Sequence, residues 1–257
     1  MNKKLQLLLV LCLAQQFSAA QDKTAEFKNG KKIDYTIVSK TPADMHRFTI
    51  FGGLSLNEAD PRLDLAATYL IPEKVQFGIN IVPISSYGAN IFFFLAPKEK
   101  EKTVKVYLAS RQYRKDTTTL YVSKEIVNPK SFLALHLAYE HYDYNYPINQ
   151  LGAGLAWNKF THYRIVIHEG DDRTKVKTKQ FMLGADVLYY PGKKVGDLLL
   201  EWKNEKVVSP VGGKVFYEFR SGFNGTKDFG GYVRLSVEYD LAGNITPKGA
   251  LGLFGGF

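Results

Sequence analysis

The sequence predicts an all-β fold, an antiparallel transmembrane β-barrel of about 12 strands within a range of about 10 to 14. Three observations predict it. Apolar residues alternate with polar or small ones at period two through most of the chain after residue 45. Tyr69, Tyr139, Trp157, Tyr189 and Tyr239 fall at the ends of apolar faces, where an interfacial aromatic girdle belongs. The apolar alternation also runs to the last residue, through Leu251 and Leu253 to Phe257, where a soluble domain ordinarily frays. A soluble β-sandwich shares the alternation, so the placement of the aromatics decides for a membrane wall.

The elements follow in order. Residues 1–20 read as a signal peptide: Lys3 and Lys4 form a positive start, Leu5 to Ala14 is a short apolar run, and Ser18-Ala19-Ala20 offers small residues for cleavage after Ala20. The run is too short to span a bilayer as a helix. Residues 21–45 form an N-terminal extension, with Ile33, Tyr35 and Ile37 marking a short strand. Residues 46–257 make the barrel.

Its predicted strands are His46–Leu56, Arg62–Ile71, Lys74–Pro83, Tyr87–Ala96, Thr103–Tyr113, Ser131–His141, Leu151–Asn158, His162–His168, Thr178–Tyr190, Asp197–Lys203, Lys214–Arg220, Gly231–Leu241 and Gly249–Phe257. Thr117–Val122 is a weaker candidate, and Asn158–Thr161 reads as a short turn. Leu63, Leu65 and Tyr69 face outward with Asp64, Ala66 and Thr68 inward. Leu133, Leu135 and Leu137 likewise oppose Ala134, His136 and Ala138. The inward set reads as small or polar. Long connections are expected at one end of the barrel and short turns at the other; Ser221–Gly230 is longer than that rule allows.

Composition narrows the chemistry. The one cysteine, Cys12, lies in the signal segment, so the mature chain forms no disulfide and no thiolate metal site. The net charge of +9 falls to about +7 once Lys3 and Lys4 leave. The excess sits in connections, at Lys98, Lys100 and Lys102, at Arg173, Lys175, Lys177 and Lys179, and at Lys193 and Lys194. No recognition module accompanies it, which excludes nucleic acid as a partner. Solvated loops are the plain reading; attraction to lipopolysaccharide phosphates or anionic solutes is the functional one.

The signal segment, the alternating strands, the aromatic ends and the terminal Phe257 resemble those of bacterial outer-membrane β-barrel proteins, in a Lys- and Tyr-rich style similar to Bacteroidota barrels. The resemblance implies an outer-membrane address and contact with outer-membrane lipid. It implies an assembly signal at Leu251, Leu253 and Phe257, read by the barrel-assembly machinery during biogenesis. Gly255 departs from the larger apolar residue usual there. The resemblance is class-wide and names no substrate.

Function must then reside in inward residues and rim loops. The candidate lumen-lining residues are Asp64, Lys105, Arg111, His136, Glu140, Arg164, Asp186, Glu218, Arg220, Arg234 and Glu238. Their signs nearly balance, which suits cross-strand ion pairs better than a charge-selective ring. The small faces at Gly152, Gly154, Ala156 and Gly184 offer either room or a seat for another residue. A small porin-like channel for a solute is the first expectation. A non-conducting barrel serving as scaffold or accessory subunit beside a protein partner in an outer-membrane complex is the alternative. A barrel hydrolase ranks last: Ser131 with His136, Ser236 with His168, and His168 with Asp171 or Asp172 are the pairs on offer, and no catalytic or metal motif supports them. No cofactor is expected.

Overall fold

A strand that alternates faces hides its backbone polar groups only if both edges find partners, and a closed ring is the arrangement that leaves no edge. The computed structural model describes residues 20–39, 47–57, 60–83, 86–113, 117–143, 147–169, 172–191, 199–200, 206–207, 210–222, 229–240, 243 and 245–256. In chain order the strands are β1 (Ala20–Glu26), β2 (Lys32–Ser39), β3 (Phe48–Asn57), β4 (Asp60–Ile71), β5 (Val75–Val82), β6 (Ser86–Glu99), β7 (Lys102–Tyr113) and β8 (Thr117–Val127). They continue with β9 (Lys130–Asp143), β10 (Pro147–His168), β11 (Arg173–Tyr189), the short pair β12 (Leu199–Leu200) and β13 (Lys206–Val207), then β14 (Val211–Gly222), β15 (Phe229–Asp240) and β16 (Ile245–Gly256).

Ten of these close a ring in the order β10-β11-β14-β15-β16-β3-β4-β5-β6-β9, with β9 pairing back to β10. Every wall pairing is antiparallel, and the seam between β16 and β3 runs from Lys248↔Asn57 to Gly256↔Thr49. The expected count of about 12 is thereby corrected to ten. Thr103–Tyr113 and Thr117–Val122 belong to β7 and β8, which pair with each other outside the ring. Leu151–Asn158 and His162–His168 are one 22-residue strand, β10, matched residue for residue by β11 through Lys159, Phe160 and Thr161. Asp197–Lys203 lies largely outside the described residues, as do His46 and Phe257.

Outward positions keep the apolar alternation: Leu63 and Leu65, Ile79 and Ile81, Leu133 to Leu137, Leu183 and Val187, Val233 to Val237, and Leu251 and Leu253 are exposed on the outer wall. Inward positions are not confined to small and polar residues. Phe51, Phe92, Phe132, Phe160, Met182, Phe216, Tyr232 and Phe254 are all buried inside. A narrow ring explains the difference, because bulky residues fit where a neighbour is small. Gly184 pairs with Phe216, and a Cβ on Gly184 would lie 2.3 Å from the Phe216 ring.

The longest wall strands overrun the ring. β9 accompanies β10 only from Pro147 to Phe160, so the remainder of β10 and the part of β11 paired with it project from one mouth. There β2 adds to β10 from Tyr163↔Ser39 to His168↔Asp34, and β1 adds to β2. The β7–β8 hairpin lies against this sheet, forming a small sandwich around Ile33, Tyr35, Ile37, Val106, Leu108, Tyr121, Val127, Ile165 and Ile167. The strand expected at Ile33–Ile37 lies within β2.

The seam depends on two facing glycines. Gly252 pairs with Gly53, and a Cβ on Gly252 would sit 2.3 Å from the Gly52 carbonyl oxygen. The Tyr232 hydroxyl covers the same spot, 2.7 Å from where a Gly53 Cβ would be. A branched side chain has no room there. Gly252→Val is expected to cost roughly 3 kcal/mol or more and to lower the urea midpoint of the refolded protein followed by tryptophan fluorescence. An unchanged midpoint would show that the seam tolerates a side chain.

Candidate functional site

Two regions gather chemistry: the interior of the ring and the sandwich at its mouth. The interior is built by parity. Lys214, Phe216, Glu218 and Arg220 share the inward face of β14; Tyr232, Arg234 and Glu238 face inward from β15; Lys248 and Ala250 do so from β16. Across the ring, Glu140 and His136 face inward from β9, Asp186 from β11 and Asp64 from β4.

Near the mouth opposite the sandwich, Lys214 Nζ lies 2.5 Å from Glu140 and 3.2 Å from Glu238. Lys248 Nζ lies 2.7 Å from Glu238 and 3.9 Å from Glu140, and it also donates to the Tyr142 hydroxyl. Gln150 donates to Glu238 at 3.2 Å and to the Tyr190 hydroxyl at 3.1 Å. In the ring order β9 and β16 stand five places apart in ten, so Glu140, Tyr142 and Lys248 bridge the full bore. A second layer joins β14, β15 and β4. Arg234 contacts Glu218 at 3.0 Å and Asp64 at 3.6 Å. Arg220 pairs with Glu218, reaches Thr68 at 3.4 Å and lies 4.3 Å from the Phe51 ring centre. Tyr232 donates to Asp64 at 2.9 Å.

Between these layers His136 directs Nδ1 at both oxygens of Asp186, 2.9 Å from each. An ionised carboxylate only accepts, so Nδ1 carries the proton. Phe92 stacks on the imidazole, 4.2 Å between centres. Gln180 bonds Gln76 at 3.1 Å, another contact across the bore. Nearer the sandwich, Lys130 ties Glu73 of the β4–β5 turn (2.7 Å) to Glu99 at the end of β6 (2.9 Å).

Asp64, His136, Glu140, Asp186, Glu218, Arg220, Arg234 and Glu238 thus stand inside the ring, in two ion-paired layers and one His–Asp pair. Three other candidates stand elsewhere. Lys105 is exposed on β7, outside the ring, so it lines no lumen. Arg164 is exposed on the projecting part of β10, between Val38 and Val176. Arg111 lies on β7, also outside the ring, and its side chain falls outside the described residues. Sequence reasoning missed Lys214, Lys248, Gln150 and Gln180. Parity could have found them, since Lys214 shares a face with Glu218 and Lys248 shares one with Ala250.

Tyr69, Trp157, Tyr189 and Tyr239 are exposed on the outer wall, as are Leu251 and Leu253. Tyr139 is half-buried, its hydroxyl donating to Asn149 at 2.8 Å.

The sandwich has a buried polar joint. Glu125 on β8 accepts from Lys23 at 2.6 Å, from Ser123 at 2.7 Å and from the Tyr35 hydroxyl, fastening the hairpin to β1 and β2. Burial alone would raise the Glu125 carboxyl, but the hydrogen bonds from Lys23, Tyr35 and Ser123 outweigh it and hold the group below its ordinary value. Burial and the neighbouring carboxylate push the Tyr35 hydroxyl up.

On the other face of this sheet Asp22, Thr24, Asp34, Thr36 and His168 border a shallow depression of ≈ 460 Å³. His168 bonds Asp172 through Nδ1 at 2.9 Å and Thr36 Oγ1 through Nε2 at 2.8 Å, while Thr36 donates to Asp22 at 2.6 Å. Thr36 stands between Asp22 and His168, so these hydrogen bonds tie β1, β2 and the end of β10 into one polar chain. Ser131 bonds the Lys98 carbonyl on the outer side and does not meet His136, and Ser236 stands in the wall on β15. Among the described residues no group of three or more His, Cys, Asp or Glu side chains has the geometry to hold a metal ion.

Two measurements probe these regions. Lys214→Met leaves Glu140 and Glu238 short of a buried partner and is expected to destabilise the barrel by roughly 3 kcal/mol, read as a lower urea midpoint; Lys214→Met with Glu140→Gln should recover part of that loss. For the sandwich, the Glu125 carboxyl is lower in the folded than in the unfolded chain, so its stabilising effect is full above about pH 4.3 and is lost as pH falls through the folded value. Amide exchange, corrected for its intrinsic pH dependence, should show protection of 102–127 falling in that acidic window, and Glu125→Gln should remove the pH dependence. No match is found for this chain among protein-family models, curated proteins or solved structures.

Proposed function

We propose that this chain spans a membrane as a non-conducting barrel and serves as a scaffold that holds the sandwich at one membrane face. The membrane reading rests on the outer wall. Tyr87, Tyr189 and Tyr239 ring one end, and Phe48, Tyr69, Phe77, Trp157 and Phe229 ring the other, with exposed aliphatic residues between. Along β15 the band from Phe229 to Tyr239 covers about ten steps of ~3.3 Å, tilted by ~40°, which gives a height of ~25 Å, the apolar band of a membrane barrel. An exposed apolar surface encircling a whole domain far exceeds what a soluble monomer carries. The resemblance noted in the sequence makes a bacterial outer membrane the expected address.

One observation favours the scaffold over the porin-like channel. Ion pairs and side-chain amides cross the full bore, and inward residues at every level are buried, from Gln150 and Glu238 through His136, Asp186 and Met182 to Phe132 and Phe160. A water-filled lumen would leave that lining accessible. Buried charges satisfied by one another stiffen a wall instead of attracting a solute. The fixed wall then presents the sandwich, with its β1 edge unpaired among the described residues, to a protein partner in the same membrane assembly.

Purified protein in planar bilayers is expected to pass no ion current above baseline while migrating on gels as a heat-modifiable barrel. Stepwise conductance from the folded protein would overturn the scaffold reading. A protein recovered wholly in the soluble fraction would overturn the membrane reading as well.

A further inference from the structure

We propose that the outward face of the β7–β8 hairpin is a docking surface for anionic lipid headgroups, gripping the leaflet that borders the sandwich. The proposal rests on the membrane reading above. Its starting point is where the hairpin sits. Val106, Leu108, Tyr121 and Val127 pack on Ile165 and Ile167. Those two residues continue the outward column of β10 that begins with Leu151, Leu155 and Trp157. The hairpin therefore covers the outside of the projecting sheet and stands one sheet spacing, ~10 Å, beyond the line of the barrel wall. A shelf in that position lies under the lipid that surrounds the barrel, not under its bore.

The shelf's other face is unlike an ordinary solvated surface. Tyr107, Leu120 and Ile126 are 52%, 56% and 59% exposed there. Lys105 stands directly opposite Lys124 in the hairpin register. Like charges facing each other across a strand pair are unfavourable, and the adjacent pairs of that face, Tyr107 with Val122 toward the tip and Thr103 with Ile126 away from it, carry no acid to answer them. An anion between the two ammonium groups removes the conflict. Apolar residues interleaved with unanswered lysines match a headgroup layer, where phosphates meet the start of the acyl chains.

The surface also continues the belt. Lys98 and Lys159 flank Ser131 on the outward side of the wall, and Lys179 lies 5.9 Å from the Phe219 ring centre. Cations thus lead from the aromatic girdle to the shelf. Charge complementarity and continuity with the apolar wall select a lipid surface over a soluble partner.

The test uses the full chain with Cys12→Ser and Ser110→Cys, the cysteine carrying a fluorophore beside Leu120 on that face. It is reconstituted into vesicles of phosphatidylcholine alone and of phosphatidylcholine with one part in three phosphatidylglycerol. Iodide quenching of the probe is expected to fall severalfold in the anionic vesicles. Lys105→Glu with Lys124→Glu should abolish the difference, and Lys105→Arg with Lys124→Arg should keep it. Equal quenching in both vesicles, with the barrel inserted and heat-modifiable, would overturn the docking surface and leave the membrane reading standing. Protection by inorganic phosphate in neutral vesicles would assign the lysines to a soluble anion and overturn it too. A barrel that enters neither vesicle would overturn both readings.

Discussion

The rest of this structure depends on closing the backbone hydrogen bonds into a ring of ten strands. Each wall strand is paired on both sides, including the seam of β16 with β3 and the joint of β9 with β10. Closure leaves no edge to be satisfied by water, which is what a sheet needs if its outer face is to be greasy all round. It also fixes the bore. At this strand number inward side chains reach one another across the axis, so whatever the alternation sends inward must pack or pair.

That consequence decides what the inward charges do. In a wide lumen Glu140, Lys214, Glu238 and Lys248 would be hydrated and free to greet a solute. In a narrow one they are taken from water and need partners, which they find in each other, in Tyr142 and in Gln150. The aromatic residues beside them follow the same limit. Phe216 fills the space Gly184 vacates, and Tyr232 covers the glycine seam. Aromatic side chains and charge pairs thus share the interior of the ring.

The sandwich exists because β10 and β11 are longer than the wall requires. Beyond the ring the outward column of β10 stays apolar at Ile165 and Ile167. The β7–β8 hairpin covers them, and the β1–β2 hairpin extends the sheet from the side. Glu125 locks the layers, since a carboxylate holding three donors in a buried joint is costly to separate. The wall and the β1–β2 extension are thus one continuous sheet, on which the β7–β8 hairpin packs as a second layer.

The sequence by itself determined the all-β class, the two-faced strands and which residues point which way, because period-two alternation is local and each residue reports its own face. Leu63 against Asp64 and Leu135 against His136 were legible on that ground alone. The strand count was not, because a strand carries no mark of its neighbours: β7 alternates like a wall strand yet pairs with β8 alone among the described strands, and Asn158–Thr161 reads as a turn yet continues β10. Nor was the state of the bore. Side chains as far apart in sequence as Gln76 and Gln180, or Glu140 and Lys248, meet only when a ring of a particular size brings opposite strands together. Composition could balance their charges, but the distance across the ring decided which of them would pair. The physical reason is that facing is a property of one strand, whereas closure and diameter are properties of the whole set.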